Sequence, residues 1–164
     1  MLKTFLVEDE VVIREMIKKM IPWEQYGFEL AGEASDGEMA LPLILKSKPD
    51  LLITDIKMPF MDGLTLCKLV KKELPDIKIV ILSGYDDFNY AKQAINIGVE
   101  DYLLKPILTK QLHDMLQQQC ECLLNKTSYS GESRSLRVTT AEKIFEQLSR
   151  PLDETTLDKL KKEI

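Results

Sequence analysis

Leu51-Leu52-Ile53-Thr54-Asp55-Ile56-Lys57-Met58-Pro59 is an apolar run that stops on a carboxylate and leaves through a proline turn. Leu51 to Ile53 are continuously apolar rather than alternating, which predicts a central parallel strand covered on both faces. Asp55 is then delivered to the strand's end, and in open α/β sheets the ligand crevice lies outside the carboxyl ends of the strands. Taken alone, an Asp after a strand is as readily the cap of the next helix. Its meaning depends on whether other strands end the same way.

They do. Leu2 to Val7 reads as a strand finishing on Glu8-Asp9, and Ile77 to Leu82 as a strand ending on Ser83-Gly84. Val99 to Leu104 ends on Lys105-Pro106, whereas Phe28 to Ala34 carries no comparable charged group toward a site, which suits a sheet edge. Between the strands, apolar residues recur at helical spacing. Val11, Val12, Met16, Ile17 and Met20 mark a helix from Glu10 to Ile21 that Pro22 stops. Further helices are predicted from Gly37 to Lys46, with Pro42 expected to kink it, through Leu64 to Val70, from Asp86 to Ile97, and from Thr109 to about Leu124. Alternation of this kind predicts a doubly wound α/β fold with a five-stranded parallel sheet, and the flavodoxin-like strand order 2-1-3-4-5, the common one for five such units, is taken for it.

The domain is expected to occupy residues 1–124 of the 164. Residues 125–135 are polar and aperiodic and read as a linker. Residues 136–164 read as a helical extension, Thr140 to Leu148 and Leu152 to Ile164 on either side of Pro151, too short to bury a core alone. With 27 acidic against 22 basic residues, a net charge of -5, no basic field favours nucleic acid or an anionic membrane. No apolar run reaches the length of a membrane span and no signal-peptide pattern opens the chain, so a cytoplasmic location is expected. Cys67, Cys120 and Cys122 include no Cys-x-x-Cys and are expected as reduced thiols. His113, the one histidine, reads as an exposed helix residue without a role.

In the 2-1-3-4-5 order, with strands about 4.8 Å apart, the Asp55 strand is flanked by those ending in Glu8-Asp9 and in Ser83. Lys105 lies two strands away, roughly 10 Å, a span that a lysine side chain largely covers. Like charges about 4 Å apart repel by roughly 4 kcal/mol at an effective dielectric near 20, so the three carboxylates imply a compensating cation. The side-chain donors are all oxygens, which favours Mg2+ or Mn2+ over zinc, and such an ion commonly also binds a phosphoryl group.

Val7-Glu8-Asp9-Glu10, Ile53-Thr54-Asp55-Ile56-Lys57-Met58-Pro59 with Met61-Asp62-Gly63, Ile81-Leu82-Ser83-Gly84 and Asp101-Tyr102-Leu103-Leu104-Lys105-Pro106 resemble, in order, the receiver domain of bacterial two-component response regulators. Trp23-x-x-Tyr26-Gly27-Phe28, Gly32-Glu33-Ala34-Ser35-Asp36-Gly37 and Ser83-Gly84-Tyr85-Asp86-Asp87-Phe88 further resemble receivers joined to AraC-type DNA-binding domains. The resemblance implies that Asp55 is the phosphoacceptor, phosphorylated by a sensor histidine kinase with help from Lys105 and Ser83. It implies a metal site of Asp9, Asp55 and the Lys57 carbonyl, with Glu8, in place of the commoner Asp, acting through water. Ser83 and Tyr102 would form the switch, and Ala at either is expected to leave the fold nearly intact. A cis bond is implied at Lys105-Pro106.

No enzymatic role is expected beyond assistance to phosphoryl transfer and autodephosphorylation. The signal would pass to an output domain, transcriptional in kind, absent from this chain, which itself binds neither DNA nor membrane and is a candidate for a phosphorylation-linked homodimer. Two other classes compete. A haloacid dehalogenase-type phosphatase needs a second Asp where Lys57 stands, and a flavodoxin needs a phosphate-cradling loop where Glu8-Asp9 would repel phosphate.

Overall fold

The computed structural model describes residues 1–84 and 88–125. The expected linker from 126 on and the pieces Thr140 to Leu148 and Leu152 to Ile164 lie outside the described residues, as does Tyr85. Five strands, β1 (Leu2–Val7), β2 (Phe28–Ala34), β3 (Leu51–Asp55), β4 (Lys78–Ser83) and β5 (Asp101–Leu104), form one parallel sheet in the order β2-β1-β3-β4-β5. Among the described residues five α-helices alternate with them: α1 (Val11–Met20), α2 (Gly37–Ser47), α3 (Gly63–Glu73), α4 (Phe88–Ile97) and α5 (Thr109–Leu124). Trp23–Tyr26 forms a 3-10 turn closed by Gly27 at φ 79.

All five residues of β3 are buried, which accounts for its unbroken apolar composition. Side chains alternate across the sheet. Leu52, Ile79, Ile81 and Tyr102 face α2, α3 and α4, whose Ile44, Cys67, Val70, Ala91 and Ala94 complete one core. Leu6, Ile53, Val80, Leu82 and Leu103 face α1 and α5, meeting Ile17, Leu112, Met115 and Leu116. The hydrophobic effect thus fixes the sheet as the middle of three layers, and every strand must release its chain at the same end.

Several local expectations shift. Val11 and Val12, expected within the apolar stripe of α1, are exposed; Ile13, Ile17 and Met20 form the inner face instead. Helix α2, by contrast, runs through Pro42 as expected; Pro42 and Glu38 are both exposed, and the Glu38 carbonyl is left without its amide partner. Strand β5 begins at Asp101 rather than Val99, because Gly98 at φ 92 and the bond from Val99 N to Ala94 O (3.2 Å) hold Val99 in the C-terminal turn of α4. His113 is half-buried, its Nε2 3.4 Å from Met20 O and its ring edge-on to Tyr26. Among the described residues no helix is long and apolar enough to cross a membrane.

Candidate functional site

The carboxyl ends of β1, β3 and β5 meet at an acidic cluster. Glu8, Asp9 and Asp55 each offer a carboxylate oxygen, all within 4.8 Å of one another. Glu8 is fully buried and Asp55 nearly so, while Asp9 is partly exposed. The β1–β3 register pairs Val7 with Thr54, so Glu8 and Asp55 leave their strands side by side. Lys105, from beyond β5, reaches across: its Nζ lies 3.0 Å from Glu8 Oε2 and 3.0 Å from Asp55 Oδ2. The bond Lys105-Pro106 is cis, as expected.

Backbone groups fix the acidic side chains further. Ile56 N donates to Asp55 Oδ1 at 2.7 Å and Glu10 N to Glu8 Oε1 at 3.3 Å. Glu8 Oε2 is buried and, despite the nearby ammonium, has no well-aligned hydrogen-bond donor. Burial, then the charge of Asp55, push the Glu8 carboxyl up to about 7, against the pull of Lys105. Burial opposes the charge on Lys105, but the two carboxylates beside it, Glu8 and Asp55, together outweigh it and hold that ammonium above its ordinary range. The cluster is therefore short of positive charge. An all-oxygen donor set with one buried, poorly satisfied carboxylate oxygen fits a hard divalent cation.

Ser83 is fully buried at the end of β4, one residue beyond Leu82, the register partner of Asp55. Lys105 N donates to its carbonyl oxygen at 2.7 Å. Tyr102 pairs in register with Ile81 and is only 1% exposed, a packed member of the α2–α4 core. Truncating it would cost about 3–5 kcal/mol, which corrects the expectation that Ala there leaves the fold nearly intact. Lys57 is exposed two residues beyond Asp55, its Nζ 6.0 Å from the centre of the Tyr90 ring.

Three features were not visible as parts of the site in the sequence. Gly63 N donates to Ile56 O at 2.7 Å, and a Cβ on Gly63 would lie 1.8 Å from Asp55 O, so the start of α3 rests directly on the site's backbone. Gly63 stood inside the Met61-Asp62-Gly63 motif, the only signal for it. Arg14 Nη1 donates to Glu8 O at 2.6 Å and pairs with Glu33 of β2, so the edge strand does contribute a charge behind the cluster. Phe60 is 85% exposed at φ 70, in a tight turn closed by Met61 N to Pro59 O at 2.8 Å.

Residues 4–117 match the family model described as response regulator receiver domain. An uncharacterized response regulatory protein of Staphylococcus epidermidis is 44% identical over 126 residues, covering 77% of this chain and 49% of that protein. The transcriptional regulatory protein HptR of Staphylococcus aureus is 43% identical over 133 residues, covering 81% of this chain and 52% of that protein. The chain spans about half the length of the curated relatives it matches. Among solved structures, the REC domain of AraT, a response regulator from Geobacillus stearothermophilus, superposes with a TM-score of 0.74 at 40% identity, over 77% of this chain and 98% of that one. A two component transcriptional regulator AraC from Clostridium phytofermentans gives 0.69 at 31% identity, over 78% and 98%.

Proposed function

The chain belongs to the response regulator receiver domain family, and from that premise we propose that Asp55 accepts a phosphoryl group from the phosphohistidine of a sensor histidine kinase. The observation that carries this is the ammonium of Lys105 held 3.0 Å from Asp55 Oδ2 beside two further carboxylates. A carboxylate oxygen of Asp55 bonds to phosphorus as the phosphorus–nitrogen bond to the donor imidazole breaks, and no base is needed because a carboxylate is already the nucleophile. Asp9, Asp55 and the Lys57 carbonyl would hold Mg2+, or Mn2+, with Glu8 acting through water. When bound, the ion neutralises the phosphoryl oxygens as they approach an acidic site. Lys105 then transfers its contact from Asp55 to the phosphoryl group, and the Ser83 hydroxyl hydrogen-bonds another of its oxygens.

Val11, Val12, Phe60 and Leu108 are each exposed on the segments that follow β1, β3 and β5, apolar side chains that a protein donor rather than a small phosphoester would cover. Lys57 occupies the position where a haloacid dehalogenase-type phosphatase needs its second Asp. The chain's own chemistry is thus confined to assisting phosphorylation and autodephosphorylation of Asp55. The signal passes through Ser83, Tyr102, α4 and α5 to a transcriptional output, a reading supported by the names of HptR and of the AraC-type neighbour. On this reading residues 1–124 are the receiver, residues after them hand the signal on or support a phosphorylation-linked dimer, and the acidic chain binds no DNA itself. A cytoplasmic site of action follows from the kinase partnership.

Incubation with acetyl phosphate and Mg2+, read by intact mass, tests the proposal. A labile mass gain is expected in the wild type and none in Asp55→Asn. An undiminished gain in that variant overturns the assignment, and turnover of phosphomonoesters would favour the phosphatase.

A further inference from the structure

Glu8 and Asp9 are consecutive, and consecutive side chains of extended backbone normally diverge. Here both bring a carboxylate oxygen within 4.8 Å of one on Asp55. The turn that achieves this is fixed at both polar groups of the Glu8 backbone. Glu8 N donates to Ala34 O at 3.1 Å, and Arg14 Nη1, from the next turn of chain, donates to Glu8 O at 2.6 Å. Because that carbonyl belongs to the rigid peptide plane joining Glu8 to Asp9, anchoring it fixes the direction in which Asp9 departs. Arg14 N also donates to Glu10 O at 3.0 Å, so the side chain springs from the first turn of α1.

The charge of Arg14 is balanced on the side away from the cluster. Its Nε stands 3.6 Å from Glu33 Oε2, and Lys18 Nζ holds Glu33 Oε1 at 3.1 Å and Glu15 Oε1 at 3.0 Å. The guanidinium fork is what permits one side chain to bond a carbonyl and face a carboxylate together; an ammonium has a single nitrogen for both. We propose that Arg14 is a positioning residue, holding the Glu8–Asp9 turn in the geometry that presents both carboxylates to a divalent cation. This rests on the cation site proposed above.

Charge alone predicts the opposite sign. A cation near three carboxylates repels a metal ion, so if Arg14 acted only through its charge, Arg14→Met would tighten metal binding and Arg14→Lys would leave it unchanged. As a positioning residue, loss of the fork in either variant weakens binding by about tenfold, the usual effect of removing a group that orients a metal ligand. The experiment is a titration of Mn2+ into the full chain, following the loss of the free-ion EPR signal, for wild type, Arg14→Met and Arg14→Lys, with thermal unfolding to verify each fold. Acetyl-phosphate labelling across a Mg2+ series should shift to about tenfold higher Mg2+ in both variants, with the saturated rate retained. Unchanged or tighter Mn2+ binding by Arg14→Met overturns the proposal; should that variant not fold, wild-type affinity in Arg14→Lys does so. A wild-type chain that binds no Mn2+ overturns the cation site, and this proposal with it, whereas wild-type binding with unaffected variants overturns this proposal alone.

Discussion

A Cβ added to Gly63 would stand 1.8 Å from the carbonyl oxygen of Asp55, with Asp55 C at 2.8 Å and Ile56 Cα at 3.0 Å. No rotamer relieves such a contact, because all three atoms are backbone. Gly63→Ala is expected to lower stability by about 3 kcal/mol or more, the upper end of overpacking costs. It should also slow labelling of Asp55, since α3 and the Asp55 backbone must part. Urea unfolding and acetyl-phosphate labelling measure the two effects, and an Ala variant with wild-type stability would refute the close packing.

The Glu8 carboxyl, raised from 4.5 to about 7 by burial and by Asp55, gives a pH prediction. Between those values the folded chain keeps a proton that the unfolded chain has released. Stability is therefore full below the lower value and falls as pH rises through the upper one. In the absence of divalent cations, urea unfolding from about pH 5 to about pH 8 should show a decline of no more than roughly 3 kcal/mol. Glu8→Gln is expected to abolish it, and saturating Mg2+ to offset it, with Mg2+ affinity rising over the same interval as the proton leaves. An equal decline in Glu8→Gln would exclude Glu8 as the source.

Lys105 serves two carboxylates at 3.0 Å each, so its removal has effects of opposite sign. In Lys105→Met the metal-free chain should lose on the order of 3 kcal/mol near pH 8, the cost of leaving buried charge unpaired. Mg2+ should bind more tightly, because a competing cation is gone, while phosphorylation of Asp55 slows for want of the ammonium. Calorimetric Mg2+ titration beside labelling kinetics separates these, and weaker Mg2+ binding would contradict the electrostatic account.

Ser83→Ala and Tyr102→Phe are the variants suited to testing the switch, since Tyr102→Ala is expected to open a cavity costing about 3–5 kcal/mol. Both should keep the fold and Mg2+ affinity. Ser83→Ala should lose the structural response to phosphorylation, followed by amide shifts along α4 and α5. A full wild-type response in Ser83→Ala would count against the proposed path.

The doubly wound class was legible because each central apolar run stops on a polar residue and is followed by helical periodicity, and the order 2-1-3-4-5, taken as the common one for five such units, is the order the sheet has. Given that order, strand spacing could bring Glu8, Asp9, Asp55 and Lys105 together, and the structure gathers the three carboxylates within 4.8 Å with Lys105 on Glu8 and Asp55. Val11, Val12 and Val99 misled for one reason: apolar character does not distinguish a core position from a rim or a cap. Arg14 and Gly63 act through the approach of distant backbone, a carbonyl in one case and a whole strand end in the other. Neither approach leaves a periodic trace in the chain.

Among the described residues no further strand pairs with either border of the sheet, and neither border invites one. On one side β5 is four residues long; on the other β2 carries Glu29 and Glu33, and its pairing with β1 shifts register between Thr4 and Phe5. Short, charged or irregular borders are poor templates for intermolecular ladders. A second copy or another partner is thereby left with the helices and the loops at the strand ends, rather than the sheet borders, as the surface this domain offers.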